Sequence, residues 1–178
     1  SNPALITEAA RLGADLINDV RALQRPGALQ AAAATGLPVC LMHMQGEPGS
    51  MQQQPEYQEV VSEVEDFLMM RVAAAEAAGI ARDRLLLDPG FGFGKNLTHN
   101  LQLLKQLPRL QALGFPLLVG ISRKRMLGEI TGRETAERDA ASHAVHLIAA
   151  QQGALILRTH QVKGLRDSLA VWQALQTI

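Results

Sequence analysis

The residues best equipped for chemistry in this sequence sit where apolar runs end. Asp88 closes the run LLLD (85–88) and precedes Pro89-Gly90, which places a carboxylate at the rim of an apolar core. A buried carboxylate needs donors, and a ligand with two parallel N–H groups would meet it as a guanidinium fork does. The competing role is a cap on the backbone of the following turn, as Asp before Pro-Gly makes. On spacing alone the cap has the slightly better case. The run GFGFGK (90–95) is flexible and could bring backbone N–H groups to a phosphate. It lacks both the phosphate-loop spacing and the dinucleotide glycine pattern, so as a motif it is weak. Phe91 and Phe93 put two of the chain's six aromatic residues into this one loop. An aromatic there either closes over a planar ligand or anchors the loop on the core.

Asn18 interrupts another apolar stretch, and its amide offers a donor and an acceptor suited to the edge of a heterocycle. Its alternative is a buried amide that satisfies a neighbouring strand end, and that reading is favoured without other information. Cations gather late in the chain: Arg123, Lys124 and Arg125, then Arg158 and His160 after the run LIL. Arg158 and His160, two apart on extended chain, share one face and suit a mono- or diphosphate. The Ser122-Arg123-Lys124 stretch reads alternatively as a solvated helix start. Two metal-like patterns fail. Cys40 and His43 are three apart on a strand and face opposite ways, and His143 with His146 has no third ligand nearby. No Ser-His-Asp order or close carboxylate pair announces hydrolysis, and no metal ligand is assigned.

The elements that must position these groups alternate. Helical composition over 4–12, stopped by Gly13, is followed by a strand at 15–20. A helix at 27–35 ends at Gly36, and a strand at 39–44 leads into a loop rich in Gly, Pro, Ser and Gln. A helix is expected over 56–78 and a strand over 85–88. Helix in two pieces around Pro108 covers 97–113, and a strand covers 117–121. A long helix over 134–152, a strand over 155–159 and a helix over 163–175 complete the chain. The strands are apolar throughout, which predicts burial on both faces, as in a parallel sheet covered by helices. The fold class is therefore α/β, either doubly wound or a (β/α) barrel. Polar residues at the strand C-termini suit the ligand site of both.

Composition bounds the partners. Seventeen Lys and Arg balance seventeen Asp and Glu in 178 residues, with 47% hydrophobic residues and one cysteine. A neutral total with no basic run gives no footprint for nucleic acid or an acidic membrane, and the apolar content excludes disorder. No apolar stretch approaches a membrane span of about 20 residues. A lone cysteine suits a reducing compartment, and a cytoplasmic location is expected.

Taken together, LINDV, PVCLMHMQG, LLLDPGFGFGK, LLVGISRK and ILRTH resemble the dihydropteroate synthase family, in order and over essentially the whole chain. The resemblance implies a (β/α)₈ TIM barrel. Residues 1–178 form a single partial domain covering about strands four to eight, and the first three strands have no counterpart. It implies condensation of 6-hydroxymethyl-7,8-dihydropterin diphosphate with p-aminobenzoate, with sulfonamides as competitors. By family role, Asn18 and Asp88 would hold the pterin edge, which reverses the preference for the cap. Met42, Phe93 and Gly120 would line the pocket, and Ser122 would lie near the p-aminobenzoate carboxylate. Lys124 would contact the pterin and stabilise charge, while Arg158 and His160 would hold diphosphate, making these three the expected catalytic residues. Gln161 stands where many relatives have Asp. The family's Mg²⁺ would be held by the missing N-terminal part, and its homodimer packs C-terminal helices that this chain retains. Two rivals remain: a related methyltetrahydrofolate methyltransferase domain, and a catalytically inactive module that only binds pterin or dimerises.

Overall fold

Local chemistry explains where the elements start. A computed structural model describes residues 2–46 and 55–177. Helix α1 (Pro3–Arg11) begins where the Asn2 side chain accepts the Ala4 N–H at 3.0 Å and Pro3 supplies the first turn. Strand β1 (Ile17–Asp19) leads to α2 (Ala28–Thr35), which Gly36 ends with a left-handed residue. Strand β2 (Val39–Met42) is buried throughout. Helix α3 (Val60–Ala77) starts where Glu59 accepts the Val61 and Ser62 N–H groups. Strand β3 (Leu85–Asp88) matches its expected span, and α4 (Leu97–Lys105) opens on a capping box of Asn96 and His99. Pro108 falls in the first turn of α5 (Leu107–Gln111), so the helix divides just before it. Strand β4 (Leu117–Val119), α6 (Arg125–Thr131), α7 (Asp139–Gln151), β5 (Ala154–Leu157) and α8 (Val162–Leu175) follow.

All five strands are parallel and lie in the sheet in sequence order, β1-β2-β3-β4-β5. A doubly wound sheet reverses its strand order at a switch point. Here it never does, so the winding is that of a barrel wall. The two faces differ accordingly. Ile17, Val39, Leu41, Leu85, Leu87, Leu117 and Val119 pack with the helices in the large core. The opposite face holds a small cluster of Cys40, Leu86 and Leu118 with Leu16 and Ile156.

Three expectations need correction. The helix expected over 134–152 is a 3₁₀ turn (Thr135–Glu137) and then α7, because Arg138 leaves the helical path and its guanidinium reaches back to the Arg123 and Arg133 carbonyls. Residues 125–131, given no element from sequence, form α6. Burial on both faces fails at the outer strands. Leu155 of β5 is 71% exposed and Asn18 of β1 is exposed, since neither strand has an outer neighbour among the described residues. The Gly, Pro, Ser and Gln-rich loop falls largely on 47–54, outside the described residues. No helix among the described residues is long and apolar enough to cross a membrane.

Candidate functional site

Register puts the polar strand ends on one face. In β3, Leu85 and Leu87 turn to the helices, so Leu86 and Asp88 turn to the opposite face with Cys40. Met42 pairs with Asp88, and Asn18 pairs with Cys40. Asn18 therefore shares the face of Asp88 from two strands away, about 10 Å across the sheet. Asp88 is 3% exposed, and its Oδ1 accepts the Gly90 N–H at 2.7 Å. The cap foreseen for Asp88 is thus present, yet it occupies one oxygen. No hydrogen bond among the described residues reaches Oδ2. Burial raises the Asp88 carboxyl above its ordinary range, against the Gly90 N–H and the nearby Lys124, Arg158 and Lys95.

The glycine loop, a weak phosphate-cradle candidate from sequence, is braced by hydrogen bonds of its own. Its Gly90 N–H goes to Asp88, Gly92 N–H to the Asn100 Oδ1 at 2.8 Å, and Phe93 N–H to the Gly90 carbonyl at 3.0 Å. Gly90 has φ +69°, and a Cβ there would strike the His43 carbonyl. Behind the loop lies Lys95, 2% exposed, whose Nζ meets His43 Nδ1 at 2.8 Å and donates to the Gly90 and Phe93 carbonyls at 3.0 and 3.1 Å. Tyr57 Oη donates to the Gly94 carbonyl at 2.8 Å. The two aromatics divide the roles open to them: Phe91 is fully buried in the core, while Phe93 is half-buried beneath Lys124 Nζ, 4.3 Å from its ring centroid.

Lys124 Nζ also donates to the Phe91 carbonyl, and burial lowers it from an ordinary lysine's 10.5 to about 8, with Asp88 opposing and Arg158 assisting. Its loop is gripped by one face of α7. His146 Nε2 accepts the Ile121 N–H at 3.2 Å, Ser142 Oγ accepts the Arg123 N–H at 2.9 Å, and Asp139 takes the Arg123 guanidinium through both oxygens at 2.7 and 3.0 Å. These contacts hold Arg123 at φ +56°, a conformation that L-residues rarely adopt. Arg158 lies against Gly120 so closely that a Cβ there would meet Nη2 at 2.8 Å and Nε at 3.1 Å. Ser122 Oγ accepts the His160 N–H at 3.1 Å and lies 2.9 Å from its Nδ1. Arg158 and His160 are both exposed.

Asp88, Phe93, Gly120, Ser122, Lys124, Arg158 and His160 therefore gather at the C-terminal ends of β3, β4 and β5, with Met42 beside them and Asn18 farther along the same face. Sequence reasoning missed Lys95, Asn100, Asp139 and Ser142, and weighed His146 only as one of a rejected metal pair. The i, i+3, i+7 spacing of Asp139, Ser142 and His146 marks one helix face and was the available signal. Among the described residues no three potential metal ligands come together, and the free mouth is cationic, so these residues do not by themselves fit a divalent ion.

A family model described as pterin binding enzyme matches residues 1–160. The dihydropteroate synthase of Escherichia coli (strain K12) is 52% identical over 174 residues, 98% of this chain and 62% of that protein. The Haemophilus influenzae dihydropteroate synthase is 48% identical over 98% of this chain and 63% of its own length. The chain thus spans less than two thirds of these curated relatives. The Stenotrophomonas maltophilia dihydropteroate synthase structure, with imidazole in its active site, superposes with a TM-score of 0.97 at 54% identity, over 99% of this chain and 67% of that one. The Xanthomonas albilineans enzyme in complex with 7,8-dihydropteroate gives 0.94 at 53% identity, over 99% and 65%. A Yersinia pestis dihydropteroate synthase with a sulfonamide drug complex gives 0.97 at 50% identity, over 100% and 65%.

Proposed function

The chain belongs to the pterin-binding enzyme family, and from that premise we propose that it is the C-terminal portion of a dihydropteroate synthase. Its β1 to β5 would be strands four to eight of a (β/α)₈ barrel. The strictly sequential parallel order supports that placement, as do two outer strands with no outer neighbour among the described residues. The reaction joins 6-hydroxymethyl-7,8-dihydropterin diphosphate to p-aminobenzoate. The C–O bond from the pterin methylene to diphosphate breaks with its electron pair leaving on diphosphate. The aniline nitrogen forms the new C–N bond and loses a proton.

The observation that carries this reading is the pairing of a buried acid with exposed cations at one end of the sheet. Asp88 keeps Oδ2 for a donor pair on the amino-pyrimidinone edge, with Asn18 on the same face. Arg158, flat against Gly120, stacks on the ring system that Met42 also borders. Arg158 and His160 take the leaving diphosphate, and Ser122 orients His160 beside the p-aminobenzoate carboxylate. Lys124 stabilises charge near the methylene, and Phe93 borders the aromatic amine. Catalysis on this account is positioning and electrostatics, with no side-chain nucleophile. Mg²⁺ would be held chiefly by residues in the part of the relatives that this chain does not span, and no step here is assigned to it.

Homodimerisation would use the C-terminal helices, where Ile148, Val162, Val171 and Leu175 are exposed. A cytoplasmic location is supported by the free, buried Cys40. The test is calorimetry of a pterin with the full-length protein and its Asp88→Ala variant, alongside dihydropteroate formation and its inhibition by a sulfonamide. Loss of pterin binding in the variant is expected. Unchanged binding would sink the assignment, and cobalamin-dependent methyl transfer in place of sulfonamide-sensitive condensation would move the protein to the methyltransferases. The 178-residue chain is expected to bind without turning over, as an inactive binding or dimerising module.

A further inference from the structure

Lys95 is a buried cation with no role toward substrate so far, and the one substrate-lining residue it bonds, Phe93, it meets at the backbone carbonyl. Its ammonium has three hydrogens, and three acceptors surround it: His43 Nδ1, the Gly90 carbonyl and the Phe93 carbonyl, all within 3.1 Å. Two of these belong to the glycine loop and the third follows β2, so one ammonium ties the loop to the neighbouring strand end. His43 can accept only if Nδ1 carries no proton. Its ring is buried, packed edge-on against Phe67 at 4.9 Å, and held neutral, its ordinary 6.5 pushed down to about 2 chiefly by burial and by Lys95. Burying an ammonium is costly, and an apolar side chain of the same length would fill the space at less expense. What an apolar chain could not do is satisfy the two carbonyls that define the turn.

The loop is held by two lysines. Lys124 binds the Phe91 carbonyl and its Nζ lies over the Phe93 ring, while Lys95 binds the Gly90 and Phe93 carbonyls. We infer that Lys95, with His43 as its fixed acceptor, is a positioning residue for the aromatic-amine substrate: it sets the plane of Phe93 on which that amine rests. The inference rests on the function proposed above, and it assigns a role to the pair only through Phe93.

The test uses the full-length enzyme with Lys95→Met, His43→Leu and His43→Asn. The carboxamide oxygen of the last can occupy the Nδ1 position. Loss of one charge-assisted tether should raise the KM for p-aminobenzoate about tenfold in Lys95→Met and His43→Leu. Pterin affinity by calorimetry should stay within about twofold, and His43→Asn should recover most of the loss. Amide exchange at Gly92 and Phe93 should quicken about tenfold in Lys95→Met while β3 amides keep their protection. A p-aminobenzoate KM unchanged in folded Lys95→Met overturns the inference, as does an equal loss of pterin and p-aminobenzoate affinity. If Lys95→Met does not fold, the contrast between His43→Leu and His43→Asn decides: equal KM values overturn it. A wild-type enzyme that forms no dihydropteroate refutes the proposed function instead, and the amide-exchange comparison still tests whether Lys95 holds the loop.

Discussion

Raising the pH from 7 to 9 should relieve a penalty that the buried Lys95 ammonium places on this fold. Burial lowers its ammonium from 10.5 to about 7. Between those values the unfolded chain keeps a proton that the folded chain has lost, so stability rises with pH. The penalty of the buried charge is fully present below about 7 and is relieved above it. With the folded group half-titrated at 7, integration to pH 9 gives about 2 kcal/mol. Other groups share the window. Lys124, lowered to about 8, adds about 1 kcal/mol with the same sign as Lys95, and His43 has that sign too, chiefly below its ordinary 6.5. Asp88, raised by burial, acts with the opposite sign, as does the Cys40 thiol as the pH approaches its ordinary 9.0. A chain of this size loses about 2 kcal/mol per molar urea, so the Lys95 contribution should raise the midpoint by about 1 M from pH 7 to 9. Urea unfolding followed by circular dichroism, with Lys95→Met alongside, measures it. The variant's midpoint should rise about 1 M less than the wild type's over that range. An equal change with pH in both proteins refutes the placement of Lys95 as a buried, depressed ammonium.

Two further outcomes follow from close contacts. Gly120→Ala puts a methyl against the Arg158 guanidinium, at 2.8 Å from Nη2. The guanidinium is exposed and can swing aside, so the urea midpoint should barely move while calorimetric affinity for the pterin diphosphate falls about tenfold; retained affinity would show that the stacked position of Arg158 is not needed. His146→Leu leaves the buried Ile121 N–H without its acceptor and should cost about 2 kcal/mol in urea unfolding. A cost near zero would mean that α7 does not hold the β4 loop.

What could be read from sequence was set by how far apart the partners lie. Asp88 and Phe93 announce themselves because a strand end, a Pro-Gly turn and a glycine loop are adjacent in the chain. The cap at Gly90 is two residues away and was foreseen. Lys95 was not, because its strand-end partner His43 is 52 residues distant and nothing in GFGFGK says which way its lysine turns. The group that a side chain at 120 would displace is the Arg158 guanidinium, 38 positions on, so only the fold shows what glycine leaves room for there. The α7 face illustrates the intermediate case. Its polar spacing was visible, but His146 was weighed only with His143, as a metal pair that fails, when its partners on the helix are Ser142 and Asp139. Both His146 and Ser142 serve the β4 loop, 19 to 25 residues earlier.

The electrostatics of the sheet end explain why acid and cations belong together there. Asp88 is near Lys124, Arg158 and Lys95, yet its carboxyl is raised, so the cost of burial exceeds what three cations return. Lys124 is lowered for the same reason, despite the attraction of Asp88. Groups on both sides of the site are thus less solvated than their charges require, and Asp88 Oδ2 lacks a donor among the described residues. A ligand that brings N–H donors to one end and an anion to the other relieves both deficits at once. Neither a neutral heterocycle nor free diphosphate does so alone. A dihydropterin diphosphate has that polarity built in, with its donors on the pyrimidinone edge and its anion beyond the methylene. The aromatic amine carries neither feature where Asp88 needs it, so on the function proposed above Phe93 and the loop beneath it are left to position that substrate.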